Sequence, residues 1–196
     1  MNHTRTTAVA ILTALLLTPV FGAQDKDKPK VGYWPTPQEV VDKMLELANV
    51  TKTDVGYDLG CGDGRIVVTA GKKYGARAVG VDIDPVRVKE ALARVKAANV
   101  EDRVSIRKED LFKTDLTAAS VVTLYLNDKA NLALMPILKK SLKPGSRVVS
   151  QTWDMGDWKP DRTIEVDGVD EKDKEKYKYK LYLWIIKEEA KQPESQ

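Results

Sequence analysis

The sequence predicts an α/β fold, a mostly parallel sheet with helices on both faces. Three observations predict it. Val55 to Leu59 is a short apolar run that passes directly into three glycines at alternate positions, Gly60, Gly62 and Gly64. Ile66, Val67, Ala70 and Tyr74 then recur at helical spacing, so the unit reads as strand, glycine loop, helix. Counted along the whole chain, five strands alternate with helices, and two more strands follow with no helix between them.

The elements follow in order. Residues 1–23 read as a leader: Arg5 gives a positive start, and Ala8 to Val20 is a mostly apolar run of 13 residues. That run is short of the ~20 residues that span a bilayer. Cleavage after Gly22 or Ala23 makes it a signal peptide; retention makes it an N-terminal membrane anchor. A single domain is expected over residues 31–186, and the charged tail, residues 187–196, is expected to fray. Thr36 and Glu39 have capping-box spacing and Pro37 suits a first helical position. Val40, Val41, Met44, Leu45 and Ala48 form the apolar face of that first helix. For Tyr33 and Trp34 two readings stand, packing against the sheet or a lid over a ligand.

The second strand is Ala76 to Val81, closed by Asp82. Asp84-Pro85 caps and starts a helix whose buried stripe is Val88, Ala91, Leu92 and Val95, with Asn99 at its end. Lys89, Arg94 and Lys96 read as its solvated face. The third strand, Val104 to Arg107, leads to Glu109-Asp110-Leu111. Ser120 to Leu126 is nearly all apolar, as a central strand buried on both faces must be. A helix from Lys129 to Leu142 contains Pro136, a kink position. Strands at Arg147 to Thr152, Arg162 to Val166 and Tyr177 to Ile186 complete the domain, the last by its alternation of Tyr177, Tyr179, Leu181, Leu183 and Ile185.

Composition excludes several chemistries. The 196 residues are 42% hydrophobic and 31% charged, which suits one globular domain with a substantial core. His3 is the only histidine and lies in the leader, so histidine-based triads and histidine metal sites are not expected in the mature part. Cys61 is the only cysteine; no intramolecular disulfide can form, and a small residue in a tight loop explains it. With Arg5 the one charge in the leader, the mature part carries 31 basic and 29 acidic side chains. That balance, without a basic block interleaved with aromatics, does not suggest a nucleic-acid partner.

The glycine loop is surrounded by carboxylates. Asp58, Asp82 and Asp110 each end or follow a strand on one edge of the expected sheet. Asp82 lies 22 positions beyond Gly60, the distance at which an acidic side chain accepts the hydroxyls of a ribose. The pattern is Gly-x-Gly-x-Gly rather than that of dinucleotide binders, and Asp58 would face a pyrophosphate with like charge. It suits a ligand with an ammonium group. Adenosine joined to an amino acid through a sulfonium is S-adenosylmethionine. The alternative is a Rossmann-like domain without a ligand, whose acids only cap helices.

The stretch Asp58-Leu59-Gly60-Cys61-Gly62-Asp63-Gly64 resembles the first motif of class I S-adenosylmethionine-dependent methyltransferases. The resemblance implies their Rossmann-like seven-stranded sheet, mostly parallel with an antiparallel last strand. It implies that Asp58 with Gly60, Cys61 and Gly62 holds the methionine part and Asp82 the ribose. Ile83 would pack on the adenine, Asp110 would receive its exocyclic amine, and Leu111 would lie beside it. Trp34-Pro35-Thr36-Pro37, Val122 to Leu126 and Ser150 to Pro160 extend the likeness to a small family of protein-lysine methyltransferases. Its eukaryotic members modify a subunit of ATP synthase and the adenine nucleotide translocase. A lysine-presenting protein is then the expected partner, and a small-molecule methyltransferase or a non-catalytic cofactor-binding protein is the alternative.

Candidates for the transfer site lie beyond the fourth and fifth strands. Tyr125 and Asn127 are the catalytic candidates; Asn127 either accepts from an amine or caps the next helix. Trp34, Trp153 and Trp158 are the substrate-binding candidates, Trp153 and Trp158 as an aromatic wall for an alkylammonium or as ordinary packing. Leu126-Asn127-Asp128-Lys129 departs from the Asn-Pro-Pro-aromatic motif of many enzymes of this class that act on nitrogen, which weakens adenine- or glutamine-type chemistry. The leader predicts an exported, periplasmic or secreted protein, or one anchored at the membrane. A cofactor made in the cytoplasm conflicts with export.

Overall fold

A seven-stranded sheet runs in the order β3-β2-β1-β4-β5-β7-β6 in the computed structural model, which describes residues 32–188. The leader and most of the tail lie outside the described residues. The strands are β1 Val55–Leu59, β2 Arg77–Asp82, β3 Val104–Lys108, β4 Val121–Leu124, β5 Arg147–Gln151, β6 Arg162–Val169 and β7 Lys176–Ile185. The first five pair in parallel, and β7 is antiparallel to both β5 and β6. The helices are α1 Gln38–Leu47, α2 Arg65–Tyr74, α3 Pro85–Ala97 and α4 Asp128–Ser141, with a 3-10 turn at Leu111–Lys113.

Alternation along each strand divides the interior into two cores. One face of the sheet sends Ala78, Val104, Val121, Val149 and Leu181 against α1, α2 and Val95 of α3. The other sends Leu59, Val81, Val122, Val148 and Trp184 against Leu134 and Leu138 of α4. Every residue of β4 is buried, as a central strand requires. Trp184 is wholly buried; its indole Nε1 donates to the carbonyl of Trp158 at 2.7 Å, and the two rings sit 5.6 Å apart. At the end of the sheet away from the glycine loop, Asp54 joins three strands. It accepts from Ser120 and pairs with Arg147, and its second oxygen accepts from Thr51.

Several local expectations are corrected. The capping box does not form: α1 begins at Gln38, Pro37 is its cap residue, and no side chain bonds the first turn. Thr36 has a long-range partner instead, Gln151. Leu92 is 50% exposed and leaves the stripe of α3, because the helix meets the sheet over a narrow face through Ala91 and Val95. β4 stops at Leu124 and β5 at Gln151, short of Leu126 and Thr152. Thr152 has φ 69°, which no strand continues through. The caps at Asp84 and Asn99 are present: Asp84 accepts from the Val86 N–H at 2.8 Å, and Asn99 takes φ 55°.

Candidate functional site

The strand order reverses between β1 and β4, and at such a point an open sheet leaves a crevice at its carboxyl edge. A cavity of about 660 Å³ opens there. That is the size class that takes a nucleoside-sized ligand. Its floor is the glycine loop, in which Gly60, Gly62 and Gly64 all adopt positive φ. Only glycine takes three such turns in close succession without strain. The loop is hung on β2: the N–H groups of Gly60 and Cys61 both donate to the Val81 carbonyl.

Asp58, Gly60, Cys61, Gly62, Asp82, Ile83, Asp110, Leu111, Tyr125 and Trp34 all line this cavity. Asp58 is buried and accepts from the Thr123 hydroxyl at 2.8 Å. Burial pushes its carboxyl up to about 7, the Thr123 bond opposes this, and the charges of Asp82 and Asp63 add to it. Asp82 accepts from the Gly62 N–H through one oxygen and from the Asp84 N–H through the other, both at 2.9 Å. Asp110 accepts from the Phe112 N–H and so starts the 3-10 turn. Ile83 keeps 67% of its surface open at the rim, an apolar platform for a flat ring. Burial, then the charges of Asp58 and Asp82, push the Cys61 thiol up, so it is inert as a nucleophile.

Three candidates lie elsewhere. Asn127 Oδ1 accepts from the Ala130 N–H at 2.9 Å and caps α4. Trp158 packs on Trp184 in the core beneath α4, with the Lys139 ammonium 4.9 Å from its ring centre. The Trp153 carbonyl accepts from Ser150 and Asn131, fixing the turn after β5, and the residue does not line the cavity.

Two residues to which the sequence assigned no role, Asp63 and Arg65, support the loop. Asp63 is buried and takes a two-pronged bond from Arg65 and a further one from Arg94 at 2.6 Å. Arg94, exposed as its place on a solvated face implies, also reaches across to support the loop. Above the loop runs a strap, residues 33–36. The Tyr33 ring lies over Gly62, where an added Cβ would come within 2.5 Å of it, and the Arg87 guanidinium stacks on the same ring at 4.2 Å. Trp34 Nε1 donates to Asp170 at 2.6 Å, and the Lys172 ammonium stands over its indole. The adjacency of Asp63 and Arg65 to the glycines was the one signal available for either.

The donor set is short of positive charge. Arg65 and Arg94 are committed to Asp63, while among the described residues Asp58 and Asp82 face the cavity without a cationic side chain bonded to them. A ligand carrying its own cation relieves that imbalance, and S-adenosylmethionine carries an ammonium and a sulfonium. The residues present fit it.

A profile described as the ANTKMT methyltransferase domain matches residues 58–162, just over half of the chain. A protein-lysine N-methyltransferase of Saccharolobus islandicus is 44% identical over 82% of this chain and 96% of its own length. The adenine nucleotide translocase lysine N-methyltransferase of Mus musculus is 32% identical over 78% of this chain and 66% of its own length. Among solved structures, an RNA methyltransferase from Salinibacter ruber in complex with S-adenosyl-L-homocysteine superposes with a TM-score of 0.72. It is 50% identical, and the match covers 82% of this chain and 97% of that one. The chain belongs to the ANTKMT methyltransferase domain family and is an S-adenosylmethionine-dependent methyltransferase.

Proposed function

We propose that this methyltransferase acts on lysine side chains of a protein. The observation that carries the reading is the match to a protein-lysine N-methyltransferase along nearly its whole length. In this reading Asp58 and the glycine loop hold the methionine part of the cofactor and Asp82 holds the ribose. Ile83, Asp110 and Leu111 surround the adenine. Tyr125 and Trp34 stand at the acceptor end of the cavity.

The cofactor supplies an electrophilic methyl group on a sulfonium. The chain must supply alignment, a dry site and a neutral amine. Lysine titrates near 10.4, so an apolar, aromatic entrance that penalises the ammonium does part of that task. Tyr125 is half-buried between β4 and α4 and suits such an entrance. Transfer from so good a leaving group makes no single base obligatory.

An RNA acceptor is the second reading, favoured by the description of the Salinibacter protein. The charge argues against it: the chain carries only +3, with no basic block interleaved with aromatics. The proposed location is exported or membrane-anchored, on the strength of the leader, and fractionation of a C-terminally tagged chain tests it.

The first experiment is calorimetric titration with S-adenosylmethionine, beside Asp82→Ala. Roughly 1–3 kcal/mol weaker binding is expected for the variant, the effect of stranding hydrogen-bond partners. Transfer of labelled methyl to cell extract then identifies the acceptor. Label recovered as methyllysine supports the reading; nuclease-sensitive label replaces it with the RNA reading.

A further inference from the structure

The Arg65 guanidinium holds three segments that are far apart in sequence. Nε and Nη2 donate to Asp63 in the glycine loop at 3.0 and 2.7 Å. Nη1 donates to the Thr36 carbonyl of the strap at 2.7 Å. Nη1 and Nη2 reach both oxygens of Glu171, at 2.6 and 3.1 Å, in the turn between β6 and β7. Arginine alone offers a planar fork with enough donors for all of these at once.

Among the described residues the strap has few other holds. Trp34 bonds Asp170, the residue beside Glu171, and Thr36 bonds Gln151. The strap therefore meets that turn directly through Asp170, and through Arg65 it meets the adjacent Glu171. Tyr33, Trp34 and Thr36 line the cavity, so a ligand seated on the glycine loop lies beneath them. Glu171 does not line the cavity and its side chain is 48% exposed. A half-exposed carboxylate contributes little to global stability. Its bonds to Arg65 pin the turn that carries Asp170, the partner of Trp34, and orient the Nη1 that holds the Thr36 carbonyl.

We propose that Arg65, at the cavity wall, and Glu171, outside it, are positioning residues that latch the strap over the cofactor, so that cofactor release is timed by the ion pair between them. The proposal rests on the cofactor occupying the cavity beneath the strap. Opening requires Trp34 to leave Asp170 of the β6–β7 turn and the Thr36 carbonyl to leave Arg65. Losing the Glu171 carboxylate removes the two bonds between that turn and Arg65 and leaves the Arg65–Asp63 fork to hold the guanidinium. The expected effect falls on dissociation, because these contacts must part before the ligand can leave.

The test uses the full chain with S-adenosylmethionine and S-adenosyl-L-homocysteine as probes. Glu171→Gln, which keeps size and removes charge, is compared with wild type and with Trp34→Phe, which keeps an aromatic ring and removes the N–H. Dissociation rates come from competitive displacement, association rates from stopped flow and stability from thermal unfolding. A dissociation rate roughly three- to ten-fold faster is expected in both variants, with association and melting temperature unchanged. Under turnover, kcat of Glu171→Gln should rise or hold while its KM for the cofactor rises. Dissociation within two-fold of wild type overturns the latch, as does faster dissociation that appears only with a matching loss of melting temperature. Wild type that fails to bind either probe overturns the cofactor placement itself, a result separable from both.

Discussion

The Thr36 hydroxyl donates to Oε1 of Gln151 at 2.8 Å, across 115 positions of sequence, and both side chains are buried. The bond ties the strap to the end of β5. Gln151 Nε2 has no partner among the described residues, so the amide already depends on this single bond. Thr36→Val keeps the shape and strands the second atom of that amide. A loss of about 1–3 kcal/mol in urea unfolding is expected, and Thr36→Ser should recover most of it. Equal stability of the valine variant would show that the bond contributes nothing.

Cofactor affinity should depend on pH through Asp58, whose carboxyl titrates at about 7 in the free protein. A cationic ligand favours the carboxylate, so binding releases a proton below that pH. Affinity should be level above pH 8 and about ten-fold weaker at pH 6, following the linkage between titration and binding. Calorimetry in buffers of different ionisation enthalpy measures the proton. The sign for stability is opposite to that of a salt-bridged acid. The folded protein without ligand holds a proton on Asp58 that the unfolded chain has lost between about pH 4 and 7, so this group's contribution falls as pH rises through that window. Asp58→Asn should therefore melt at a higher temperature than wild type at pH 8, by less at pH 5, and should bind the cofactor poorly.

Gly62 tests the seat of the strap. Its φ of 53° is unfavourable for alanine, and an added Cβ would stand 2.5 Å from the Tyr33 ring. Gly62→Ala should weaken cofactor binding by about ten-fold, from a left-handed strain of roughly 1–2 kcal/mol together with displacement of Tyr33. In a Tyr33→Ala background the added effect of Gly62→Ala should shrink, because the clash partner is gone. Additive losses in the double variant would locate the effect in the loop backbone alone.

The sheet was legible because its signals are local. Val55 to Leu59, the three glycines and the alternation in β7 each carry their meaning within about ten residues. The acids at the strand ends were legible for the same reason: a strand's end and its side of the sheet follow from the run itself. Thr36 was misread because a capping box and a long-range bond to Gln151 use the same hydroxyl, and only the fold decides between them. Leu92 was misread because periodicity gives the direction of a helix's apolar face but not how much of it the sheet covers. Arg65 and Glu171 meet across 106 positions. Nothing near either residue signals the other, and a charged turn between two strands reads as solvated until the strap is seen lying against it. Trp153 and Trp158 sit in the stretch after β5, where an acceptor site was expected. The tight turn at Thr152 carries them toward α4 and Trp184 instead.

The placement of β7 between β5 and β6 has a consequence for how the molecule comes into being. During synthesis the parallel strands and the glycine loop emerge first, with Tyr33 and Trp34 already made. Asp170 and Glu171 leave the ribosome much later, and the hairpin that carries them must pair with the open edge of β5. Until then that edge is bare and the strap lacks its anchors in the turn. A nascent chain stopped before β6 would hold every loop glycine and acid of the cavity and still be unable to close over a ligand. If the strap is a latch, competence to retain the cofactor therefore arrives with β6 and β7, after the cavity's own residues are made.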